Sequence, residues 1–195
     1  YIKTISKKLI LNKQNIWQSI ENKSVSFPEF ENNNSFLLKE DSFWYKHRNN
    51  VILYFIKKYL KTQIFFDIGG GNGIVSALLL NLGIDTFLIE PDYYGIINAR
   101  SRGVKNLINT TFEDAQFLDN SIPAIGIFDV LEHIENDVIF LKDIKNSLIN
   151  SGLLYITVPT YNICWSNEAV RLGHFRRYNV SQLISILKKL DFEII

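Results

Sequence analysis

The run Ile64-Phe65-Phe66-Asp67-Ile68-Gly69-Gly70-Gly71-Asn72-Gly73 leaves a folding chain few choices. Ile64, Phe65, Phe66 and Ile68 form a short apolar block of β-preferring residues, the pattern of a strand covered on both faces. Ile74, Val75, Ala77, Leu78, Leu79 and Leu82 then recur at helical spacing, with Gly83 as a stop. Gly69, Gly71 and Gly73 therefore sit where a strand hands over to a helix. Such a turn offers bare backbone against which a ligand can lie. The helix start behind it presents unpaired N–H groups to polar or anionic atoms.

Two nucleotide patterns fail on this turn. The dinucleotide fingerprint G-x-G-x-x-G asks for a sixth-place glycine, and counting from Gly69 that place holds Ile74. A phosphate loop asks for Lys-Ser or Lys-Thr after the glycines, and none follows. What stands is D-x-G-x-G-x-G, with Asp67 two residues ahead of the first glycine. This resembles the first motif of class I S-adenosylmethionine-dependent methyltransferases. That cofactor carries an ammonium and a sulfonium, which a nearby carboxylate favours; a pyrophosphate would be repelled. The competing reading is a glycine-rich turn with no ligand. The resemblance implies cofactor contacts from Asp67, Gly69, Gly70, Gly71, Asn72 and Gly73.

Alternating units follow the turn. Residues 84–89 read as a second strand ending in Glu90-Pro91-Asp92, and 17 residues separate Gly73 from Glu90, room for one helix and one strand. An acid there accepts ribose hydroxyls in nucleotide folds generally, so Glu90 and Pro91 join the expected cofactor site. Residues 93–102 read as a helix and 105–108 as a third strand. In the segment Thr111-Phe112-Glu113-Asp114-Ala115, Asp114 resembles the acid that takes the adenine amino group, with Ala115 supplying an N–H. An ordinary helix-capping acid is the alternative. Residues 124–129 read as a fourth strand, followed by Val130-Leu131-Glu132-His133. Asp129 through His133 resembles the fourth family motif, D-x-L-E-H, of small-molecule and quinone-type members. Asp129, Val130 and Leu131 would line the cofactor. His133, with Glu132, is the candidate general base, since imidazole titrates near neutrality; alternatively the pair braces the loop. Two adjacent ligands alone do not indicate a metal, and none is expected.

Asn136-Asp137 opens a helix carrying Val138, Leu141, Ile144, Leu148 and Ile149 on its buried side, with Gly152 as its stop. Residues 153–158 read as a fifth strand. Residues 159–178 form an insert where such folds place a substrate lid. Its aromatics and cations suit a planar or anionic acceptor. It resembles the family pattern P-x-x-x-x-x-W-S … G-H-x-R-R-Y, which implies substrate contacts from Tyr161, Trp165, His174, Arg176, Arg177 and Tyr178; salt bridges holding the lid are the alternative for the two arginines. A His-Asp pair common in that pattern is replaced by Glu168 and Ala169. A last helix, capped by Asn179 or Ser181, carries Leu183, Ile186, Leu187 and Leu190. Residues 192–195 read as the start of a sixth strand.

Upstream, Val51, Ile52, Phe55, Ile56, Tyr59 and Leu60 mark a helix that Asp41-Ser42 can cap. Ahead of the stripe, Phe43-Trp44 and the later Arg48 resemble a cofactor-wall segment, which implies roles for Trp44 and for Arg48 against the cofactor carboxylate. Residues 1–40 read as an extension of short helices, around Ile5, Leu9 and Ile10 and around Ile16, Trp17 and Ile20, ending in loop; 41–195 read as the cofactor-binding domain.

Composition sets the outer limits. At 195 residues with 47% hydrophobic and 13% aromatic residues, the chain is an ordinary globule with room for a sizeable core. A formal charge of +1 gives no global field for nucleic acid or membrane. The single cysteine, Cys164, excludes an internal disulfide and fits a reducing, cytoplasmic setting. No apolar run approaches a membrane span, and a chain without Met reads as a fragment of something longer. The fold expected is α/β: a Rossmann-like, doubly wound, mostly parallel sheet whose last antiparallel strand is missing. The function expected is methyl transfer from S-adenosylmethionine, released as S-adenosylhomocysteine, to oxygen, nitrogen or carbon of a small acceptor. A non-catalytic cofactor-binding subunit and an NAD-type dehydrogenase are the rival readings; the sequence leaves acceptor and oligomeric state open.

Overall fold

The computed structural model describes residues 1–20, 42–160 and 171–195. Its centre is β3 (Ile64–Ile68), whose residues 65–68 are all buried. Alternation along this strand feeds two cores. Phe65 packs toward Ile52 and Ile56 of α2 (Phe43–Tyr59) and Leu79 of α3 (Ile74–Leu80). Phe66 and Ile68 pack on the other face, with Phe140, Leu141 and Ile144 of α6 (Asp137–Ser147). Each phenylalanine so buried stabilises the fold by about 1.5–3 kcal/mol.

The remaining strands are β4 (Asp85–Ile89), β5 (Asn106–Asn109), β6 (Ile122–Phe128) and β7 (Leu148–Thr157), with α4 (Tyr93–Ser101) and the short α5 (Phe112–Ala115) between them. With the N-terminal β1 (Leu9–Leu11) and β2 (Trp17–Ser19) they make a seven-stranded sheet of order β1-β2-β5-β4-β3-β6-β7. Every pairing is parallel except β1 with β2. The winding direction reverses between β3 and β6, and crevices outside strand carboxyl ends at such switch points receive ligands in open α/β sheets.

Three expectations give way to other bonds. Beyond the one-turn helix α1 (Ile2–Ile5), the described residues up to 20 form strands, not helices. Asn12 Oδ1 accepts from the Gln14 and Ile16 amides and Asn15 turns to φ 57°, so the chain reverses, and Trp17 then pairs with Ile108. Gly152 does not stop α6, which ends at Ser147 with Leu148 as its cap; it lies inside β7 at a register shift against β6, where a Cβ would come within 2.9 Å of Ile149 O. Residues 192–195 form no strand, because the Phe192 amide closes the end of α7 (Val180–Lys189) on Leu187 O at 3.0 Å. Among the described residues nothing pairs with the outer edge of β7.

Helix stripes are legible but narrower than expected. In α2 only Asn49, Ile52 and Ile56 are buried, while Val51 and Phe55 face out. Ser42 stands at the start of α2 without a side-chain cap bond, and Asp41 lies outside the described residues. The end of the chain is capped as read: Asn179 and Gln182 form a reciprocal capping box on α7. Among the described residues no helix is long and apolar enough to cross a membrane.

Gly73, at φ 75°, is the tightest junction in this frame. A Cβ there would lie 2.5 Å from Ala99 Cβ and 2.8 Å from Ala99 Cα, so α3 and α4 could not both keep their places. Gly73→Ala should cost at least the about 1–3 kcal/mol of a non-glycine residue held at positive φ. Ala99→Gly in the same chain should restore part of that loss; urea unfolding midpoints of the three proteins measure it.

Candidate functional site

The glycine turn is fixed from below. Gly69 N donates to Ile89 O at 2.8 Å, and a Cβ on Gly69 would lie 2.6 Å from Val130 Cγ2. Asp67 is fully buried under the turn, and Ser76 Oγ donates to its Oδ2 at 2.7 Å. Burial pushes the Asp67 carboxyl up to about 6, while the Ser76 bond pulls it the other way. Asp67 is thus a prop beneath Gly70 and not part of the cavity wall. Asn72 also turns from the cavity, its Oδ1 accepting from Asn98 Nδ2 at 2.9 Å.

Glu90 closes β4 and joins it to the turn. Its Oε2 accepts from Gly71 N at 2.8 Å and its Oε1 from Asp92 N at 2.9 Å. Asn109 Nδ2 holds the bend by donating to both Glu90 O and Pro91 O at 2.9 Å. Burial raises the Glu90 carboxyl to about 7, against the pull of its two amide donors. Each carboxylate oxygen still has a lone pair for a further donor.

A cavity of about 540 Å³ opens at these strand ends. Gly69, Gly71, Glu90 and Pro91 line one side and Asp129, Val130 and His133 another. Of the α5 pair, Glu113 lines the cavity whereas Asp114 is buried off it, behind the cap bond from its own amide to Thr111 Oγ1. Ala115 and Leu131 are fully buried behind the wall. Wall positions that sequence reasoning missed are Thr110, Thr111, Glu113, Ile134, Phe140 and Phe175. The β5–α5 junction held a signal for the threonines, since the order of strand, polar pair and helix repeats that of the glycine turn.

Trp44 is 57% exposed, edge-on to Tyr45, and lies off the cavity wall. Arg48 does reach the site: its Nη2 pairs with Asp129 Oδ2 at 2.7 Å, and Thr157 Oγ1 donates to Asp129 Oδ1 at 2.9 Å. Arg48 Nε is buried without a hydrogen-bond partner among the described residues.

The turn after β6 meets the segment 171–178. Phe175 N donates to Glu132 O at 2.8 Å. Tyr178 Oη donates to Asp137 Oδ2 at 2.7 Å and to Leu131 O at 3.3 Å. Arg176 pairs with the same buried Asp137 at 2.9 Å and donates to Glu135 O at 2.6 Å. Arg176 and Tyr178 therefore strap the segment down, and Arg177 Nη1 donates to Thr160 O at 3.3 Å. The strap brings His174 against His133, ring centroids 4.6 Å apart and nearly perpendicular. Glu132 is 1% exposed, and its carboxyl is raised to about 8 by burial. Burial, and then the neighbouring His174, push His133 down to about 4, so the ring is neutral at pH 7. Tyr161 and Trp165 lie outside the described residues.

Tyr178→Phe removes a hydrogen bond to a buried carboxylate. It should cost about 1.5–3 kcal/mol and raise protease sensitivity around 171–178. Thermal melts and limited proteolysis read both effects.

Residues 46–195 match the model of a family described as a methyltransferase domain. Two probable S-adenosylmethionine-dependent methyltransferases of Mycobacterium tuberculosis are 21% identical over 156 residues, covering 78% of this chain and 56% of theirs. The chain thus spans little more than half the length of these curated relatives. A possible histamine N-methyltransferase from Thermotoga maritima superposes with a TM-score of 0.62 at 20% identity, covering 85% of this chain and 82% of its own. The phosphoethanolamine N-methyltransferase 2 of Haemonchus contortus, solved with S-adenosylmethionine, gives 0.62 at 19% identity, covering 75% of this chain and 36% of its own. These structural likenesses concern the fold. The family match runs from α2 through the glycine turn and the strap to the last residue, and the chain belongs to the methyltransferase-domain family.

Proposed function

We propose that the protein binds S-adenosylmethionine in the cavity at the β3–β6 switch point and directs its methyl group to oxygen, nitrogen or carbon of a small-molecule acceptor. The observation that carries this reading is the Glu90 carboxylate, pinned to Gly71 N at the cavity wall with lone pairs to spare. A vicinal diol has two donors for such a group, whereas a pyrophosphate has none. The volume, about 540 Å³, suits a nucleoside-sized ligand. Curated relatives and structural neighbours that bear this cofactor's name support the same reading.

The cofactor supplies a methyl group activated by a sulfonium. The chain's own residues do the rest. Gly69 and Gly71 keep the wall free of side chains. Glu90 accepts the sugar hydroxyls. Arg48, already fixed by Asp129, has its Nε donor left for a carboxylate. Thr110, Thr111 and Phe112 offer a polar and an aromatic surface to a purine. In the Glu132–His133–His174 cluster, His133, on the cavity wall and neutral at pH 7, is the group placed to receive a proton leaving the acceptor. Transfer of this kind depends mainly on alignment, which the rigid strand ends provide.

Isothermal titration with S-adenosylmethionine and S-adenosylhomocysteine tests the reading. Saturable binding with NADH inert is expected; NADH binding in its place would contradict it, and tight binding without turnover on any acceptor would make the chain a non-catalytic subunit. Gly71→Val should abolish the binding. Glu90→Ala should weaken it about 10- to 100-fold, as loss of a charge-assisted bond at about 1.4 kcal/mol per tenfold requires.

The pH dependence follows from Glu90. Its folded value, about 7, lies above that of an unfolded glutamate. It therefore favours the folded, cofactor-free protein fully at acid pH, and that contribution is lost as pH rises through about 7. The ionised form is the better acceptor of hydroxyl donors, so cofactor affinity should rise between about pH 6 and about pH 8. In Glu90→Gln both trends should flatten.

A further inference from the structure

We propose that Glu132, His133 and His174 form a binding site for one divalent transition-metal ion of the zinc class. One ligand atom from each side chain lies within 4.8 Å of the other two. Two imidazoles and one carboxylate form a recurrent donor set for such ions, and three protein ligands leave a position open for water or substrate. A tetrahedral ion with bonds of about 2.1 Å holds its ligand atoms roughly 3.4 Å apart. Small side-chain rotations close that gap.

The second observation is the condition of the donors. Glu132 is 1% exposed, yet its Oε2 has no hydrogen-bond partner among the described residues. His174 Nδ1 is buried and equally without one. Orphaned buried polar atoms are uncommon and costly, and two of them converging on one point ask for a shared partner. Guanidinium groups of Arg48 and Arg177 lie near, paired through their Nη atoms with Asp129 and Thr160 O and each keeping a buried Nε without a hydrogen-bond partner among the described residues, but neither bonds Glu132 Oε2.

The third observation is how His174 arrives. It stands 41 residues beyond His133 and is held there by a strap tied directly after it. The Phe175 amide bonds Glu132 O, and Arg176 and Tyr178 both bond Asp137. The strap and the turn after β6 are thus locked with the three donors facing one another. His133 also lines the cavity, so the open coordination position has access to an acceptor.

The site stands on these side chains alone; its use in catalysis rests on the methyl-transfer reading. An acceptor hydroxyl on the ion would lose its proton to solvent. Its oxygen would then bond the methyl carbon as the carbon–sulfur bond breaks and the sulfonium leaves as a neutral thioether.

The test uses the whole chain, stripped with chelator and titrated with Zn²⁺ by calorimetry and with Co²⁺ by visible absorption. One ion per chain is expected, with the intense d–d bands of a low-coordinate cobalt site. His174→Ala should weaken Zn²⁺ binding by more than the roughly 10- to 100-fold that loss of an outer-shell partner gives, while its melting curve stays cooperative. His133→Ala is the second variant and should behave alike. Weak binding shared by wild type and both variants would overturn the site. Full turnover in excess chelator would leave methyl transfer standing and remove the metal from it. Metal binding in a chain that ignores S-adenosylmethionine would do the reverse.

Discussion

The hydrogen bond from Gly71 N to Glu90 Oε2 at 2.8 Å, beside that from Gly69 N to Ile89 O, joins the two halves of the site. It ties the turn after β3 to the end of β4, so neither can move without the other. The carboxylate that receives it is buried and held by a second amide, that of Asp92. Ionised groups are expensive to bury unless bonded, and here the bonds come from the backbone that a ligand would touch. The acid both shapes the turn and remains able to accept from whatever lies on it. Asp67 repeats the device one layer down, bonded by Ser76 and wedged under Gly70.

The opposite wall follows the same logic with different parts. Asp129 accepts from Arg48 and Thr157, so the end of β6 is anchored to α2 and β7 at once. The strap at 171–178 is anchored by Asp137, which takes both Arg176 and Tyr178. Two arginines that look, in sequence, like acceptor contacts are instead bonded within the protein: Arg176 to Asp137 and Glu135 O, Arg177 to Thr160 O. What the strap delivers to the site is His174, whose Nδ1, like Oε2 of the neighbouring Glu132, is buried without a hydrogen-bond partner among the described residues.

The parts legible in sequence are those dictated by local chemistry. An apolar block, three glycines and a helical stripe can be read without neighbours, and so can an acid one helix and one strand later. The misplacements depend on contacts that the spacing of residue types does not show. The N-terminal hairpin exists because β2 finds β5, a pairing invisible in the spacing of Ile16 and Trp17. The glycine motif puts Asp67 at the ligand, but its carboxylate is held beneath the turn by the bond from Ser76. Glu113 and Asp114 are adjacent acids on a one-turn helix, and only packing against the core decides which is buried. The meeting of His133 with His174 depends on the strap and has no signal in the spacing of the two histidines.

The account's central claim is that a nucleoside-bearing sulfonium cofactor rests on the backbone of residues 69–73 with its sugar on Glu90. The most direct measurement is an amide-resolved NMR titration with S-adenosylhomocysteine. The account predicts that the largest shifts fall on the amides of Gly69, Gly71 and Asp92, the last two being donors to Glu90. Shifts that bypass these amides, or an identical pattern produced by NADH, would contradict it.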